Sequence, residues 1–226
     1  WRANAGTGNI LYDHSGNANH ATINGASWST ETPILFQPQT KQELQTAVDL
    51  WVSDSTTALE TYGDISVWDV SLITDMSEVF KGKATFNSDI SAWDVSSVTT
   101  SYAMFDSASN FNQYIAAWDV SNVTDMHLMF HNAHSFNQDL SSWDVSSVTN
   151  MGGIFDNTSS LSDAVKCNIH ISWSSNDNWP YEWTELCEVS QVVFQPQTKQ
   201  ELQVAVDLWI SDSIVALETY GDISNW

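Results

Sequence analysis

The sequence predicts an α/β solenoid of the leucine-rich-repeat type, built from turns of 25 residues. Near copies of residues 64–71 begin again at positions 89, 114 and 139, a constant spacing of 25 residues. Each copy centres on a tryptophan, namely Trp68, Trp93, Trp118 and Trp143. A fixed period of this size is typical of solenoids, in which each turn covers the apolar face of the next turn.

The apolar residues within one unit predict how a single turn folds. The first unit reads Ile65-x-x-Trp68-x-Val70-x-x-Ile73, which is the leucine-rich-repeat spacing. We expect a strand around Val70, with apolar side chains pointing inward and Asp69 facing a concave surface. The predicted inward columns are Ile65, Ile90, Ile115, Leu140; Trp68, Trp93, Trp118, Trp143; Val70, Val95, Val120, Val145; Ile73, Val98, Val123, Val148; Phe80, Phe105, Phe130, Phe155; and Phe86, Phe111, Phe136, Leu161.

A helix is predicted immediately before the first unit. Thr40 is followed three residues later by Glu43, which is the signature of a capping box at the start of a helix. The next apolar residues fall on one helical stripe, and they are Leu44, Ala47, Val48 and Trp51. We expect this helix to be the N-terminal cap that covers the open end of the solenoid.

The two cysteines of the chain, Cys167 and Cys187, follow the last clear unit. We predict that they form a disulfide in a C-terminal cap, where closing a loop of about 20 residues stabilises by roughly 3 kcal/mol. The alternative is a pair of unbonded, buried thiols.

The capping segment occurs twice in the chain. Residues 36–68 match residues 194–226 at an offset of 158 residues, with five differences. We therefore expect a second, tandem module to begin near residue 194, and the chain to be a segment of a longer array. The predicted domains are 1–33, a short β-rich segment; 34–63, the helical cap; 64–161, the solenoid; 162–193, the disulfide-closed cap; and 194–226, the start of the second module.

The charge of the chain excludes several classes of partner. Six Lys and Arg residues stand against 28 Asp and Glu, giving a net charge of −22. Such a chain repels nucleic acid phosphates and anionic membranes and attracts cations. No apolar run approaches the roughly 18 to 20 residues that span a bilayer. We predict no nucleic acid partner and no membrane insertion.

A column of aspartates is the most regular polar feature. Asp69, Asp94, Asp119 and Asp144 each lie between an inward Trp and an inward Val. On neighbouring strands, about 4.8 Å apart, these like charges would repel. Either cations such as calcium lie along the column, or the carboxylates accept hydrogen bonds from serines and backbone N–H groups of adjacent turns.

Other polar residues recur in fewer of the repeats. Asn87, Asn112 and Asn137 predict a buried ladder that satisfies backbone groups of successive turns. Asn122 and Asn157 stand in Asn-x-Ser/Thr sequons, which fit glycosylation of a secreted protein. The spacing of His127, His131 and His134 is compatible with a metal site on a helical turn, but it occurs in one unit only.

No catalytic motif is present in the sequence. It has no Gly-rich phosphate loop, no Gly-x-Ser-x-Gly elbow and no reactive-cysteine setting. We therefore predict that the chain is not an enzyme and that it needs no cofactor apart from the calcium alternative.

The repeat motif resembles a known family. The pattern Trp-Asp-Val-Ser-x-Val-Thr-x-Met, followed by Phe-Asn-Gln-Asp-Leu, is similar to the BspA-like leucine-rich-repeat surface proteins, whose repeat was formerly a mycoplasma domain of unknown function. The resemblance covers about residues 64–161, with departures at Thr100, Ser101 and Tyr114. It implies a secreted or surface-anchored protein used in adhesion or coat building. Residues 12–28 resemble the opening strands of concanavalin-like (laminin-G-like) jelly-roll domains.

These observations predict an extracellular structural or adhesive protein, a tandem-module component of a surface coat or filament that self-associates. The alternative is a glycan- or protein-binding module that uses the concave Asp/Ser face. Self-association through the module ends would favour the first function, whereas a monomer that retains a glycan or a protein partner would favour the second.

Overall fold

The computed structural model describes Ile10–Leu11, Ala21–Thr22, residues 36–189 and 196–211, and the backbone positions of Ala216 and Thr219. The chain divides into two compact units, Trp1–Ile34 and Leu35–Trp226. In the first unit, β1 (Ile10–Leu11) pairs antiparallel with β2 (Ala21–Thr22). The rest of the predicted β-rich segment, and with it most of the jelly-roll resemblance, lies outside the described residues.

In the described residues, the second unit begins with two helices, continues through four repeats, and then has three further helices with stated bounds. The helices are α1 (Lys41–Ser53), α2 (Ser55–Tyr62), α3 (Asp163–Trp173), α4 (Thr184–Val189) and α5 (Lys199–Ser211). A single 3-10 turn, Ile65–Val67, opens the first repeat. The repeats are residues 64–88, 89–113, 114–138 and 139–161, and they are called the first to fourth repeats below.

Helix α1 begins where the capping box predicts. The Thr40 hydroxyl accepts a hydrogen bond from the Glu43 backbone N–H at 3.2 Å, and the Glu43 carboxylate accepts one from the Gln39 backbone N–H at 2.7 Å. Leu44 and Val48 are fully buried and belong to the same core as the first repeat. The sequence therefore sets both the start of this helix and the face that it buries.

The four repeats stack in parallel, each in register with the next. The Thr99 backbone N–H donates to the Thr74 carbonyl at 2.8 Å, and the bonds from Thr124 to Thr99 and from Thr149 to Thr124 have the same length. Next to them, parallel β-bridges join Asp75 to Thr100, Thr100 to Asp125, and Asp125 to Asn150. One bridging residue per repeat thus holds a constant 25-residue register.

The predicted α/β solenoid with strand-forming repeats is wrong. In the part of the chain that the structure describes, β1 and β2 are the only strands, and the repeats contain isolated bridges and turns instead. The residues around Val70 cannot extend, because the Asp69 carboxylate accepts the Ser71 backbone N–H at 3.1 Å and closes a local turn. The Ile73 N–H then donates to the Val70 carbonyl at 2.9 Å, which continues the turn.

A second set of bonds between repeats depends on backbone in the left-handed region. Within the first repeat, the N–H groups of Glu78, Phe80 and Gly82 donate to carbonyls of the second repeat at 2.9, 2.9 and 2.7 Å. Glu78 and Gly82 both have positive φ, which turns alternate N–H groups toward the same neighbour. The equivalent positions in all four repeats are Glu78, Ala103, Leu128 and Gly153, and Gly82, Ser107, Asn132 and Asn157.

The predicted inward columns are confirmed, since every one of their members is at most 6% exposed. Aromatic rings of successive repeats stack nearly parallel: Phe105 and Phe130 lie 5.5 Å apart at 3°, and Trp118 and Trp143 lie 6.5 Å apart at 6°. The indole of Trp118 also donates to the Ile90 carbonyl at 3.2 Å. The tryptophans therefore join neighbouring repeats by hydrogen bonds as well as by packing.

The C-terminal end of the stack is covered by α3 and the segment that follows it. Trp173 is fully buried and stacks on Trp143 at 6.1 Å and 15°, so it adds one ring to the tryptophan ladder. The Tyr181 hydroxyl accepts the Phe155 N–H at 2.9 Å and donates to the Asp156 carboxylate at 2.8 Å. These contacts cover the exposed end of the fourth repeat, in the place that a fifth repeat would occupy.

The predicted asparagine ladder is confirmed, although it is half-buried to exposed and not buried. The side-chain oxygen of Asn112 accepts the Asn137 backbone N–H at 2.9 Å and the Gln138 amide at 2.8 Å. Asn87 and Asn137 accept the backbone N–H groups of Asn112 and Ser162 in the same way, both at 2.9 Å.

Replacing Asn112 with alanine is expected to lower the free energy of unfolding by about 1–2 kcal/mol, because the Asn137 N–H loses its acceptor and the Gln138 amide keeps only the Asn112 backbone carbonyl. The measurement is urea unfolding followed by circular dichroism. Asn110→Ala is the matched control, since Asn110 is exposed and its side chain makes no bond in the ladder. Equal losses in the two variants would contradict a role for the ladder.

Candidate functional site

The acidic column, Asp69, Asp94, Asp119 and Asp144, is built from identical local turns. Each carboxylate accepts the backbone N–H of the serine two residues later, at 3.0–3.1 Å. In the first three repeats the serine hydroxyl donates to the same oxygen at 2.6–2.7 Å. Serine and backbone N–H donors are therefore present as predicted, but they belong to the same turn and not to adjacent turns.

In three of the four turns, these bonds favour the charged form of the carboxylate. The Ser71 hydroxyl and backbone N–H hold the pKa of Asp69 below its usual value, and the Gln37 amide contributes from 2.6 Å. The hydroxyl and N–H of Ser121 lower the pKa of Asp119 in the same way, and hydrogen bonding from Ser146 lowers the pKa of Asp144. The column therefore presents negative charge on an exposed face of the stack at neutral pH.

We expect the Asp-Ser turns to make stability depend on pH below about pH 4. A carboxyl whose pKa is lower in the folded state stabilises the fold above its unfolded pKa of about 3.9, and this contribution is lost as the pH falls. The triple variant D69N/D119N/D144N keeps an acceptor in each turn but cannot ionise. Its melting temperature should lie below that of the wild type at pH 7, and the gap should close toward pH 3. A gap that is constant with pH would contradict this account.

A second acidic column was missed from the sequence. Asp64, Asp89 and Asp139 each accept the backbone N–H of the serine two residues later, at 2.9 Å. The Ser91 N–H and hydroxyl lower the pKa of Asp89. Tyr114, 59% exposed, interrupts this column in the third repeat. The signal was the recurring Asp-x-Ser spacing, which occurs three times in the first repeat and twice in each of the second and fourth repeats.

The geometry of the acidic column provides no multidentate site for calcium, the first of the two predicted alternatives. Among the residues that the structure describes, no group of three or more His, Cys, Asp or Glu side chains is arranged to hold a metal ion. Calcium binding along the acidic column stays a prediction with a simple test. If the Asp-Ser turns alone hold the column, chelating divalent cations should leave the melting temperature unchanged, and a drop would establish a structural cation.

The three histidines of the third repeat do not converge. The His131 Nδ1 lies 2.8 Å from the Asp106 carboxylate, and the His134 Nδ1 lies 2.9 Å from the Asn157 carbonyl. His127 instead stacks on Tyr102, with ring centroids 5.7 Å apart. The His spacing therefore has a structural explanation in three separate contacts.

The predicted disulfide between Cys167 and Cys187 is present, with the two Cα atoms 5.0 Å apart. It joins α3 to α4. Both sequon asparagines are exposed, but their amides are engaged: Asn122 donates to the Ser96 carbonyl at 2.9 Å and Asn157 to the Asn132 side chain at 3.0 Å. Glycosylation at Asn122 and Asn157 stays a prediction.

A polar cleft of about 430 Å³ lies at the C-terminal end of the acidic column. The fourth repeat lines one side with Asp144, Ser146 and Thr149, and Ser172 and residues 175–178 line the other. The Asn176 amide fixes the second side by donating to the Val145 and Val148 carbonyls at 2.8 and 2.9 Å. This cleft is not apparent from the sequence, because its two sides are far apart in the chain.

Comparison with known proteins identifies one family. The family model described as "Mycoplasma protein of unknown function, DUF285" matches residues 48–168, more than half of the 226-residue chain. No curated protein and no solved structure gives a significant match. None of the helices in the described residues has the length and apolar content needed to cross a membrane.

Proposed function

This chain belongs to the mycoplasma protein family DUF285, whose function is unknown, and we propose that it is an extracellular structural and adhesive repeat protein. In this proposal it is secreted or displayed on the cell surface, as a tandem-module component of a coat or filament. The resemblance of its Trp-Asp-Val-Ser repeats to BspA-like surface proteins supports this assignment.

The observation that carries the proposal is the acidic column. Four repeats present the same carboxylate, each oriented by its own Asp-Ser turn, on a stack with a shared aromatic core. A face repeated at fixed intervals multiplies weak contacts, because each further contact becomes intramolecular once the first has formed. Such a face suits lateral association or adhesion better than the recognition of one small substrate.

The duplicated capping segment supports a tandem arrangement. Residues 194–226 repeat residues 36–68 with five differences, so a second module beginning at residue 194 is part of the proposal. Few residues separate Cys187 from this segment, and neighbouring modules would therefore be held close together.

Sedimentation velocity of the purified chain tests the structural function. We expect the sedimentation coefficient to rise with protein concentration, because a coat or filament component must self-associate. A chain that stays monomeric up to about millimolar concentration, where weak intermolecular contacts become populated, would contradict the proposal.

The cleft beside Asp144 favours a second candidate, a module that binds glycans or a protein partner. Its lining of hydroxyl, amide and carboxylate groups matches the hydrogen-bonding groups of a sugar. A glycan array should then show binding by the wild type and loss of binding by Asp144→Asn. Retention of a glycan by a chain that does not self-associate would replace the structural function with this one.

A further inference from the structure

The cleft beside Asp144 carries negative charge that no lysine of the described residues neutralises. Asp144 lines one side and Asp177 the other, and no Lys, Arg or His side chain is among the lining residues. Residues 84–165, which include the second to fourth repeats, contain no Lys or Arg at all. A cleft lined by one sign of charge concentrates ligands of the opposite sign.

The lysines around the repeats are already paired with other carboxylates. The ion pairs are Lys41–Asp75, Lys81–Glu78, Lys83–Asp49 and Lys166–Asp163. None of these pairs includes a residue that lines the cleft. A cation that binds in the cleft would therefore meet carboxylates without having to break an ion pair within the described part of the chain.

The first repeat shows how a carboxylate of the acidic column holds a nitrogen donor. One oxygen of Asp69 accepts the hydroxyl and the N–H of Ser71, and the other accepts the Gln37 amide at 2.6 Å. Asp144 accepts the Ser146 N–H in the same kind of turn at 3.0 Å. No amide of the described residues reaches Asp144 as Gln37 reaches Asp69, so this position is open to a nitrogen donor from a ligand.

The remaining lining of the cleft matches a ring that carries hydroxyl groups. Exposed hydroxyl and amide side chains line both sides, from Ser146, Thr149, Ser172, Ser175 and Asn178. The apolar lining residues are at most 5% exposed, and they are Trp143, Val145 and Val148. The volume of about 430 Å³ is far larger than a single ion needs and lies in the range of small-molecule sites.

We propose that this cleft binds an amino sugar with a free amine, whose ammonium group pairs with Asp144 while its ring hydroxyls bond to the polar side chains of the lining. This inference rests on the second candidate function, the binding module, and names its ligand class. An ammonium ion that donates to a carboxylate makes a charge-assisted hydrogen bond, which is stronger than a neutral one. A lysine side chain brings the same ammonium group without the hydroxyls, so it uses only part of the lining.

Isothermal titration calorimetry of the full chain with three disaccharides of one linkage tests the ligand class. They are the dimer of glucosamine, its N-acetylated form, and cellobiose, which has a hydroxyl in place of each amine. We expect the free-amine dimer to bind at least about tenfold more tightly than the other two, because only this dimer brings a cation to the carboxylates.

The outcomes of this titration separate the inference from the candidate function on which it rests. Equal affinity for all three disaccharides would leave a glycan-binding module and overturn the ammonium contact. If the free-amine dimer does not bind, the inference is overturned, and the glycan array decides independently whether the chain binds other glycans.

Two variants locate the contact, and a third is the matched control. Asp144→Asn and Asp177→Asn should each weaken binding of the free-amine dimer, Asp144→Asn by about tenfold or more. Asp94 forms the same turn with the Ser96 N–H at 3.0 Å but does not line the cleft. Asp94→Asn removes the same charge from the acidic column, so it should keep an affinity close to that of the wild type.

Equal losses in Asp94→Asn and Asp144→Asn would show a general attraction to the acidic column and overturn the site. If Asp144→Asn does not fold, as judged by its circular dichroism, Asp177→Asn decides: an unchanged affinity in that variant overturns the proposal.

A lysine dipeptide with blocked ends separates a sugar from a peptide ligand. It carries two ammonium groups, as the glucosamine dimer does, but it has no hydroxyl group. We expect it to bind at least about tenfold more weakly than the dimer, because the hydroxyl and amide lining then has no partner. Equal or tighter binding of the dipeptide would assign the cleft to a basic peptide and overturn the amino-sugar proposal.

Discussion

Replacing Trp118 with alanine is expected to lower the free energy of unfolding by about 3–5 kcal/mol. Trp118 is 6% exposed in the middle of the stack, with its ring 6.5 Å from that of Trp143 and 6.3 Å from that of Phe105. Its indole N–H also donates to the Ile90 carbonyl, which otherwise accepts only the Trp93 N–H, so truncation leaves a cavity and removes one hydrogen bond between repeats. The loss should appear in urea unfolding followed by circular dichroism.

Two further variants separate the causes of this loss. Trp118→Phe fills part of the cavity but cannot donate the bond to Ile90, so we expect it to lie between the wild type and Trp118→Ala. Tyr114→Ala removes an aromatic side chain that is 59% exposed, and it should change stability by well under 1 kcal/mol. If Trp118→Ala is no worse than Tyr114→Ala, the aromatic ladder does not hold the repeats together.

Removing the disulfide is expected to cost about 3 kcal/mol, because Cys167 and Cys187 close a loop with a separation of 20 residues. The bond fixes α4 on α3, and α3 supplies Trp173, the last ring of the tryptophan ladder. The double variant C167S/C187S should therefore melt at a lower temperature than the wild type.

Reduction of the wild type provides the matched control. Under reducing conditions the wild type should melt near the temperature of C167S/C187S, while the variant itself should not respond to the reductant. A wild type whose melting temperature is the same with and without reductant would show that the C-terminal cap does not depend on the bond.

The sequence was most informative about the residues that point inward. A column such as Phe80, Phe105, Phe130 and Phe155 repeats one residue type at one spacing, and only a stacked core satisfies that pattern. The start of α1 could also be predicted, because the Thr40 and Glu43 side chains accept hydrogen bonds from local backbone N–H groups and need no distant partner. The two cysteines left only one pairing within the chain.

The conformation of the backbone between these residues could not be predicted from the sequence in the same way. The spacing around Val70 fits a strand, but the neighbouring Asp69 and Ser71 form a side-chain turn that competes with extension. The left-handed positions carry Glu78, Ala103 and Leu128, residue types that give no sign of a positive φ. These positions are held by bonds to the next repeat, which become apparent only once the stack is assembled.

The residues of the acidic column were predicted from the sequence, but their geometry was not. The acidic column was visible as a periodic Asp, but the serine donors to Asp69 and its equivalents proved to come from the same turn. The cleft beside Asp144 depends on how residues 172–178 fold back on the fourth repeat, and local patterns contain no information about that contact.

Electron microscopy of the native surface material, with antibodies against this chain, tests the structural function most directly. The proposal predicts filaments or a lattice decorated by the antibody, with a regular spacing set by the stacked modules. Antibody signal confined to dispersed single particles, with no ordered assembly at the cell surface, would contradict it.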